Sequence, residues 1–180
     1  MPRIECEIRS FIDKQKYEEL IQRLKKEAEF LGERDEVTYY LDVPQDLRIQ
    51  RNDDYAKIWL KKGKLHDEAR EEIEIRFSKD DFGKMEKMLS AIGINPEIKW
   101  FRKRNEFSWK GIRVFVDHTK GYGYILEFER IVSPEKQEAA ISDLRNKMAE
   151  LGVEETPKEV FDKAFRDYRK LWPSLVEKEQ

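Results

Sequence analysis

Charged and apolar side chains alternate along six segments of this sequence. The charged members are Arg3, Glu5, Glu7 and Arg9; Lys57 and Lys61; Arg70, Glu72, Glu74 and Arg76; Arg102, Arg104 and Glu106; Arg113 and Asp117; and Glu127 and Glu129. Because successive side chains of a β-strand point to opposite sides, each segment is predicted to be a strand with one charged face. Arginine and lysine bind phosphate oxygens, and paired carboxylates bind hard divalent cations. The pattern therefore indicates a site for a phosphorylated ligand together with a metal ion.

A sheet face exposed to water, with opposite charges paired across strands, would show the same alternation. Two considerations favour an enclosed face. Amphipathic helices elsewhere in the chain must cover the apolar faces of the strands, which leaves the charged faces on the other side. About eight strands are enough to close a barrel, and closure turns the charged faces into a lumen. A lumen that contains both signs of charge is costly to desolvate unless it stays wet or binds a polyanion and a cation.

Eight segments with a period of two are predicted to be strands: residues 3–9, 34–42, 46–51, 54–62, 70–77, 98–109, 111–117 and 123–130. Turn-forming pairs at Asn52-Asp53, Lys62-Gly63, Lys110-Gly111 and Lys120-Gly121 connect several of them, so neighbouring strands are expected to be mainly antiparallel. We therefore predict an α+β fold in which a closed, eight-stranded, mainly antiparallel β-barrel carries helices packed on its outside.

Four further segments have the periodicity of amphipathic helices. They begin at Asp13, Ser78, Ser133 and Thr156, and the first three are expected to end at Gly32, Gly93 and Gly152. Glu159 is predicted to complete a capping box with Thr156. Apolar side chains at helical spacing are expected to lie in the core, among them Leu31, Met88, Ile92, Val160 and Leu171.

The composition narrows the functional class. The 180 residues suffice for one domain, which we take to be residues 1–180. Charged residues make up 41% of the chain but leave a net charge of only −2, which argues against a general nucleic-acid or membrane-surface binder. Cys6 is the single cysteine, so the chain has no intrachain disulfide. No run approaches the roughly 20 apolar residues that cross a bilayer, and we expect a cytoplasmic protein.

An ordered series of motifs carries a family resemblance. The motifs are Glu5-Cys-Glu7-Ile-Arg9, Leu47-Arg48, Trp59-Leu-Lys61-Lys-Gly63, Arg70 with Glu72, Arg102-Lys-Arg104, Val116-Asp117 and the pair Glu127 and Glu129 after Gly123. Together they span roughly residues 3 to 170. The series resembles the CYTH family, the triphosphate tunnel metalloenzymes that include thiamine triphosphatases and class IV adenylate cyclases. The resemblance implies an antiparallel eight-stranded tunnel, a small-molecule triphosphate ligand and a requirement for Mg2+ or Mn2+.

The same resemblance implies roles for individual residues. The implied metal ligands are Glu5, Glu7, Glu127 and Glu129, with Glu72 and Glu74 as further candidates. The implied substrate-binding residues are Arg48, Lys57, Arg70, Arg102, Arg104 and Arg113. Catalytic roles fall to Arg9, Lys61 and Asp117, and Lys61 is expected to contact the triphosphate as well.

Two positions depart from the family pattern. Arg9 stands where the family has lysine, which keeps the positive charge but exchanges a compact ammonium for a planar guanidinium. The family motif Leu-Arg-x-Arg becomes Leu47-Arg48-Ile-Gln50, which removes one lumen cation unless a bulge lets Arg51 replace it. Both departures lie inside the predicted site, so we expect them to affect catalytic turnover.

Three functions are compatible with these residues. The first is metal-dependent hydrolysis of inorganic tripolyphosphate, thiamine triphosphate or a nucleoside triphosphate. The second is an adenylate cyclase of the class IV type, and the third is a non-catalytic module that binds polyphosphate or the 5′-triphosphate end of RNA. Other contacts with nucleic acid are not expected, and no residue pattern indicates an oligomeric state.

Other conspicuous residues are given structural roles. His66 and His118 lie in predicted turns and are expected to be surface residues. Cys6 is expected to pack against the helices as a buried thiol. Trp59 and Tyr55 are expected either to line the tunnel opening or to plug one end of the barrel.

Overall fold

The computed structural model describes residues 4–64 and 66–179. Within them the chain forms eight β-strands and four α-helices. The strands are β1 Ile4–Ile12, β2 Glu29–Leu41, β3 Asp46–Arg51, β4 Ala56–Lys61, β5 Ala69–Phe77, β6 Pro96–Trp109, β7 Ile112–Thr119 and β8 Gly123–Val132. The helices are α1 Lys14–Glu27, α2 Phe82–Ala91, α3 Gln137–Glu150 and α4 Lys158–Glu177. Each predicted strand is confirmed, whereas Arg3, the first residue of the predicted strand 3–9, lies outside the described residues.

The strands form one closed ring in the order β1-β5-β4-β3-β2-β6-β7-β8. Every neighbouring pair is antiparallel, and β8 returns to pair with β1 over nine residue positions. The predicted hairpin turns join consecutive strands. Between β6 and β7, Lys110 and Gly111 have positive φ angles of 48° and 77°, as a tight two-residue turn requires. The predicted closed antiparallel barrel with external helices is therefore confirmed.

Three helices cover much of the apolar outer surface of the ring. α1 packs on β2, β6, β7 and β8, α3 packs on β1 and β8, and α2 packs on β3. The largest buried cluster lies between α1, α3 and the strands, and it includes Cys6, Ile8, Leu20, Leu24, Phe107, Val114, Leu126, Phe128, Leu144 and Met148. Each fully buried side chain of this kind contributes about 1.5–3 kcal/mol. Burial of these alternate residues holds the charged residues between them on the inner side of the ring.

The first helix ends earlier than its apolar periodicity predicts. α1 stops at Glu27, and β2 begins at Glu29. Phe30 pairs with Phe107 across β2 and β6, and their ring centres are 5.2 Å apart. Gly32 is not the predicted helix stop, because it lies within β2 at a register shift and has a φ angle of +143°. Pairing with a strand distant in sequence outweighs the local helical period at this point.

Several predicted core positions are exposed instead. They are Leu31, Met88, Ile92, Val160 and Leu171. α2 and α4 each contact a limited part of the ring, so their buried faces are narrower than their apolar faces. On β5, Ile73 and Ile75 are also exposed, because the helices pack mainly on other strands. Among the described residues, no helix is both long enough and apolar enough to cross a membrane.

The capping box predicted at the start of α4 is wrong. Pro157 occupies the N-cap position, and no side chain caps the helix there. The hydroxyl oxygen of Thr156 accepts a hydrogen bond of 3.0 Å from the backbone N–H of Phe11 and lies 3.0 Å from the hydroxyl oxygen of Ser10. Thr156 therefore attaches the start of α4 to the end of β1.

α4 lies across one end of the ring, which we call the inner end. Phe161 stacks on Phe11 of β1 with ring centres 4.3 Å apart. The hydroxyl of Tyr168 lies 3.3 Å from the backbone oxygen of Lys99 and 3.2 Å from that of Lys120. We call the opposite end, bordered by Arg34, Tyr55, Arg76 and Arg113, the mouth. α4 thus gives the two ends of the barrel different character.

The contact between α4 and the β7–β8 turn can be tested at Gly121. Its φ angle is +72°, and an added Cβ would lie 2.6 Å from Cβ and 3.0 Å from the backbone carbonyl carbon of Leu175. Gly93 has a similar φ of +86° with no described atom within 4 Å of its added Cβ. Gly93→Ala should cost about 1 kcal/mol of unfolding free energy for the backbone conformation alone. Gly121→Ala should cost at least about 1 kcal/mol more because of the clash, as urea denaturation would measure. Equal costs would show that α4 does not press on this turn.

Candidate functional site

The charged faces of the strands line the inside of the ring, as their parity predicts. They surround a cavity of about 1090 Å³ that extends from the inner end to the mouth. The lining of the inner end is largely aromatic and includes Tyr40, Trp100, Tyr122, Phe161 and Phe165. Phe161 and Trp100 are buried, whereas Arg76 and Arg113 at the mouth are more than half exposed, at 63% and 57%. The tunnel therefore opens to solvent mainly at the mouth.

Lys61 lies at the centre of a group of carboxylates in the tunnel. Its ammonium nitrogen is 2.7 Å from Glu5, 3.4 Å from Glu7 and 3.5 Å from Glu72. Burial disfavours the ionised form of Glu5 and of Glu7, but Lys61 beside both, and Arg9 beside Glu7, outweigh burial and lower both pKa values. β1, β4 and β5, which are adjacent in the ring, thus bring one ammonium and three predicted metal ligands together.

Glu129 and Glu72 differ from these ionised neighbours. Burial, together with the nearby carboxylates of Glu5 and Glu127, raises the pKa of Glu129 to about 8. Burial and the hydrogen-bonded carboxyl of Glu5 raise the pKa of Glu72 to about 7 despite the attraction of Lys61. The positive charge near this cluster of carboxylates is therefore too small to keep all of its members ionised.

Two of the predicted phosphate-binding arginines share one buried carboxylate. Asp46 accepts two hydrogen bonds of 2.6 Å from Arg48 and one of 2.7 Å from Arg70. The Arg48 guanidinium also lies 4.2 Å from the ring centre of Tyr40 and 5.6 Å from that of Trp59. Asp46 therefore fixes two cations of different strands side by side near the inner end.

A second group of ion pairs lies on the β2, β6, β7 and β8 side of the tunnel. Arg104 donates to both oxygens of Asp117, with a shortest distance of 2.7 Å, and to Glu127 at 2.9 Å. Arg102 donates to Glu36 at 3.0 and 2.6 Å and lies 3.4 Å from Asp117. Burial raises the pKa of Asp117 to about 6, and the two guanidinium groups keep it from rising further. Asp117 is thus predominantly ionised at neutral pH and holds both arginines in place.

The two residues that depart from the family pattern both face the tunnel. Arg9 lies 2.5 Å from Glu7, and its guanidinium is 5.4 Å from the ring centre of Phe161 in α4. Gln50 is buried in the tunnel wall. β3 pairs with β2 and β4 without a register shift, so the bulge considered for Arg51 does not form. Arg51 is exposed and its guanidinium is 5.7 Å from the ring centre of Phe82, so it does not replace the missing lumen cation.

Two predicted substrate residues and one predicted metal ligand lie nearer the mouth. Lys57 is 2.7 Å from Glu74, and Glu74 also accepts a hydrogen bond of 2.6 Å from Arg76. Arg113 donates to Glu106, which also binds Arg34. The structure therefore groups Glu74 with two cations of β4 and β5 and not with Glu5 and Glu7.

His66 is not the surface residue that its position in a turn predicts. Its side chain is buried, lines the inner end of the tunnel and lies 2.6 Å through Nδ1 from Asp162 of α4. The ring packs against Phe161 and Phe165, with centres 5.8 and 5.6 Å apart. Burial and the positive charge of Arg9 lower the pKa of His66 to about 4, although Asp162 favours the charged form. The prediction failed because α4, distant in sequence, covers this turn.

The carboxylates match a divalent metal ion in type but not in their present arrangement. Among residues 4–64 and 66–179, no three acidic, histidine or cysteine side chains converge as metal ligands. Lys61 occupies the position between Glu5, Glu7 and Glu72. Carboxylate oxygens are the ligands that hard cations prefer, and the raised pKa values of Glu129 and Glu72 indicate a place where positive charge would be stabilised. The donor set therefore fits a hard divalent ion in the type of its ligands.

Asp46 and Glu36 are site residues for which the sequence predicts no role. Their side chains are only 8% and 6% exposed, and each binds a predicted phosphate-binding arginine. Strand parity contains the signal, because Asp46 precedes Arg48 by two residues and Glu36 follows Arg34 by two. Which arginine each carboxylate binds depends on neighbouring strands, which parity alone does not specify.

Comparison with known proteins assigns the family. A family model described as the CYTH domain matches residues 3–171 of the chain. The chain belongs to the CYTH family. No curated protein matches it.

Solved structures share the fold of this CYTH domain. A conserved hypothetical protein from Pyrococcus furiosus is 21% identical with a TM-score of 0.71, over 83% of this chain and 91% of that one. An adenylate cyclase candidate from Vibrio parahaemolyticus is 14% identical with a TM-score of 0.71, over 88% and 95% of the two chains. An adenylyl cyclase candidate from Hippeastrum, described as having a dominant triphosphatase activity, is 17% identical with a TM-score of 0.63, over 88% and 93%. At these identities the likeness is one of fold.

Asp46 should be essential to the stability of this CYTH domain. Asp46→Asn removes the charge that two buried guanidinium groups share, and the loss of one partner of a buried ion pair costs about 3–5 kcal/mol. The exposed Asp54, 3.4 Å from Arg34, provides the control, because Asp54→Asn should change stability little. Urea denaturation of both variants would measure the difference, and a small effect at Asp46 would contradict its proposed role between Arg48 and Arg70.

His66 should make the CYTH domain less stable in acid. Its pKa is about 4 in the folded protein against an ordinary 6.5, so between these values the unfolded chain binds a proton that folded His66 does not. The wild-type protein therefore loses stability as pH falls through 6.5 toward 4. His66→Asn removes this titration, so its loss of unfolding free energy between pH 7 and pH 5 should be about 2 kcal/mol smaller than that of the wild type. Equal losses would contradict a buried neutral imidazole.

Proposed function

We propose that this CYTH domain hydrolyses a triphosphate inside its tunnel with the help of a divalent metal ion. The substrate is inorganic tripolyphosphate, thiamine triphosphate or a nucleoside triphosphate. One observation carries the proposal. A cluster of carboxylates, in which Glu72 and Glu129 have raised pKa values, shares one enclosed cavity with four arginines: Arg48, Arg70, Arg102 and Arg104. Guanidinium groups complement phosphate oxygens, and carboxylates complement a metal ion.

The closed inner end determines which end of a triphosphate enters first. A linear triphosphate has to enter through the mouth, so its terminal phosphate reaches furthest toward the inner end. Arg48 and Arg70 there are 12% and 4% exposed and are fixed by Asp46, which orients their remaining N–H groups. Because these cations are already ordered, binding a phosphate costs little side-chain entropy.

The chemistry asked of the chain is mainly electrostatic. Water attacks the terminal phosphorus, a new P–O bond forms, and the bond from that phosphorus to its bridging oxygen breaks with the electron pair left on that oxygen. Lys61, Arg102 and Arg104 offset the negative charge that develops on the phosphate oxygens. Glu72, whose pKa is about 7, supplies a carboxylate that accepts the proton from the attacking water. Arg9 and Asp117 hold Glu7 and Arg104 in position through their ion pairs.

A divalent ion belongs to this proposal as a cofactor. Glu5, Glu7, Glu127 and Glu129 would hold it, while Glu72 is left as the proton acceptor, and we expect Mg2+ or Mn2+. When bound, such an ion neutralises charge on the phosphate oxygens. Glu74 is omitted from the proposed set, because it binds Lys57 and Arg76 near the mouth. A cytoplasmic location, expected from the single cysteine, stays a prediction.

Hydrolysis is preferred to cyclisation on one structural ground. Cyclisation requires the nucleoside to be held so that its ribose hydroxyl faces the α-phosphate, and bases are usually held by stacking on aromatic rings. The ring of Tyr55 at the mouth is covered by Arg76, 4.4 Å from its centre, and Trp59 is covered by Lys57 at 4.4 Å. The activity described for the Hippeastrum protein supports the same preference.

The test is a product analysis with a matched pair of variants. The purified protein, with Mg2+ and Mn2+ in separate reactions, should release orthophosphate from at least one of tripolyphosphate, thiamine triphosphate and ATP. Glu7→Gln should lower the rate by at least about 100-fold, because it removes one of the negative charges that would hold the metal ion beside the phosphates. The control Glu33→Gln, at an exposed residue paired with Lys103 outside the tunnel, should leave the rate unchanged.

Chromatography of the ATP reaction separates the alternatives. ADP with orthophosphate agrees with the proposal, whereas cyclic AMP with pyrophosphate would assign a cyclase. Tight binding of tripolyphosphate without any product would assign a binding module. Equal turnover by Glu7→Gln and the wild type would show that the carboxylate of Glu7 takes no part in the mechanism.

A further inference from the structure

His66 lines the inner end of the tunnel but belongs to none of the motifs that carry the family resemblance. Its side chain is 6% exposed, and its ring packs against Phe161 and Phe165 of α4. Its φ angle is +63°, in the left-handed region that residues other than glycine rarely adopt. Among the described residues Lys110 is the other such residue, and the β6–β7 turn accounts for it. The fold therefore holds His66 in a strained conformation at the place where the proposed ligand would end.

Asp162 of α4 orients the imidazole ring. Its carboxylate oxygen lies 2.6 Å from Nδ1 of His66, and an ionised carboxylate accepts hydrogen bonds but cannot donate them. The proton of the neutral ring is therefore on Nδ1, which leaves Nε2 with a lone pair. No hydrogen bond joins Nε2 to any residue within 4–64 and 66–179. His66 and Asp162 thus form a pair in which the second ring nitrogen can accept a proton.

Two guanidinium groups keep Nε2 without a proton in the free protein. Burial of the ring, together with the positive charges of Arg9 and Arg48, lowers the pKa of His66 to about 4. Asp162 acts in the opposite direction but does not outweigh them. Arg48 is one of the arginines proposed to bind the terminal phosphate, and Arg9 faces the same lumen. A phosphate at this place would offset both positive charges, so that burial alone would oppose the attraction of Asp162 for a proton.

The other titratable groups near His66 are neutral or already paired. The phenols of Tyr40 and Tyr122 line the same end of the lumen, and burial raises the pKa of Tyr122 above its usual range. Two carboxylates follow His66 in the chain, and each binds a cation of a helix: Asp67 binds Lys158 of α4, and Glu68 binds Arg145 of α3. The charge next to the ring therefore changes chiefly when an anion enters the inner end.

We propose that His66 and Asp162 form a proton-linked anion contact, in which Nε2 takes up one proton from solvent and donates a hydrogen bond to the innermost phosphate. The inference rests on the proposed function and adds a residue to its site. The ligand is the terminal phosphate of the substrate or the orthophosphate product. An imidazolium between Asp162 and this phosphate makes a charge-assisted hydrogen bond through each ring nitrogen.

Nitrogen NMR of the imidazole rings tests the proposal directly, because the chemical shifts distinguish a neutral from a charged histidine. With a pKa of about 4, only about 1% of His66 should be charged at pH 6 in the free protein. Saturation with inorganic tripolyphosphate, without added metal, should convert most of it to imidazolium. A ring that stays neutral in the saturated complex overturns the proposal.

His118 is the second histidine of the chain and provides the internal control. It stacks on Tyr124 with ring centres 4.4 Å apart, and its Nε2 lies 3.4 Å from Glu179. It is absent from the lining of the lumen, so its protonation should not respond to tripolyphosphate. An equal response of both rings would indicate a general effect of the polyanion and contradict a specific contact at His66.

His66→Asn measures what the proton contributes to affinity. Asparagine tolerates the left-handed backbone region, so the variant should fold, which its unfolding midpoint would verify. The phosphate should return the pKa of His66 to at least its ordinary 6.5. The ratio of wild-type to variant affinity for tripolyphosphate should then rise at least about threefold from pH 8 to pH 6. Calorimetry without metal measures this ratio, in which the titration of the ligand itself cancels.

The matched comparison is with His118→Asn, for which the ratio should not change with pH. A ratio for His66→Asn that is equally independent of pH would show that His66 only fastens α4 to the ring, and it would overturn the proposal.

Asp162→Asn separates the charge of the pair from its geometry. The amide oxygen can still accept a hydrogen bond from Nδ1, but the negative charge is gone. The pH at which ligand-bound His66 loses its proton should therefore fall by at least about one unit, as the same NMR measurement would show. An unchanged titration contradicts the part assigned to Asp162.

Failure of the proposed function would look different. A wild-type protein that protonates His66 when it binds tripolyphosphate, yet hydrolyses no triphosphate, refutes hydrolysis and retains the anion contact. A protein that hydrolyses triphosphates while His66 stays neutral retains hydrolysis and refutes the contact. Absence of any binding of tripolyphosphate refutes both.

Discussion

Charge compensation inside the barrel is the constraint on which the rest of this structure depends. A buried guanidinium or carboxylate is tolerated only when an opposite charge lies within hydrogen-bond distance. Asp46 serves Arg48 and Arg70, Glu36 serves Arg102, and Asp117 serves Arg104. Where compensation is incomplete, as at Glu129, the pKa rises and the group retains its proton. Internal ion pairs thereby compensate many of the charges of the lumen, and in the proposed function a phosphate or metal ion would compete with them for the same groups.

The barrel exists because the same strands satisfy two requirements at once. One set of side chains packs beneath α1 and α3, and the alternate set forms the ion pairs of the lumen. Neither requirement alone selects a ring, since an open sheet can also have one apolar face. The pairing of β8 with β1 removes the sheet edges that would otherwise be free to pair with another chain, and it brings Glu129 beside the carboxylates of β1. Closure of the ring therefore completes both the fold and the candidate site.

Strand parity in the sequence is sufficient to predict the charged face, and with it most residues of the candidate site. It predicts neither partners nor coverage, because both depend on contacts distant in sequence. Glu74 has the parity of Glu72 but binds Lys57 and Arg76, and His66 becomes buried only because α4 covers its turn. The early end of α1 has a similar origin, since pairing of Phe30 with Phe107 takes over from the helical period. The regular pairing of β3 with both neighbours likewise explains why Arg51 does not supply the lumen cation that is missing at Gln50.

The aromatic cover that α4 places over the inner end has a consequence for the order of events in the proposed reaction. Orthophosphate forms at the deepest point of a channel whose other opening is blocked by Phe161 and Phe165. It has to leave by the route that the rest of the ligand still occupies. In the proposed reaction the diphosphate product therefore has to depart first or move aside, and orthophosphate would be released last. By closing the inner end, α4 would thus set the order of product release in the proposed reaction and make free orthophosphate a competitor for the vacated site.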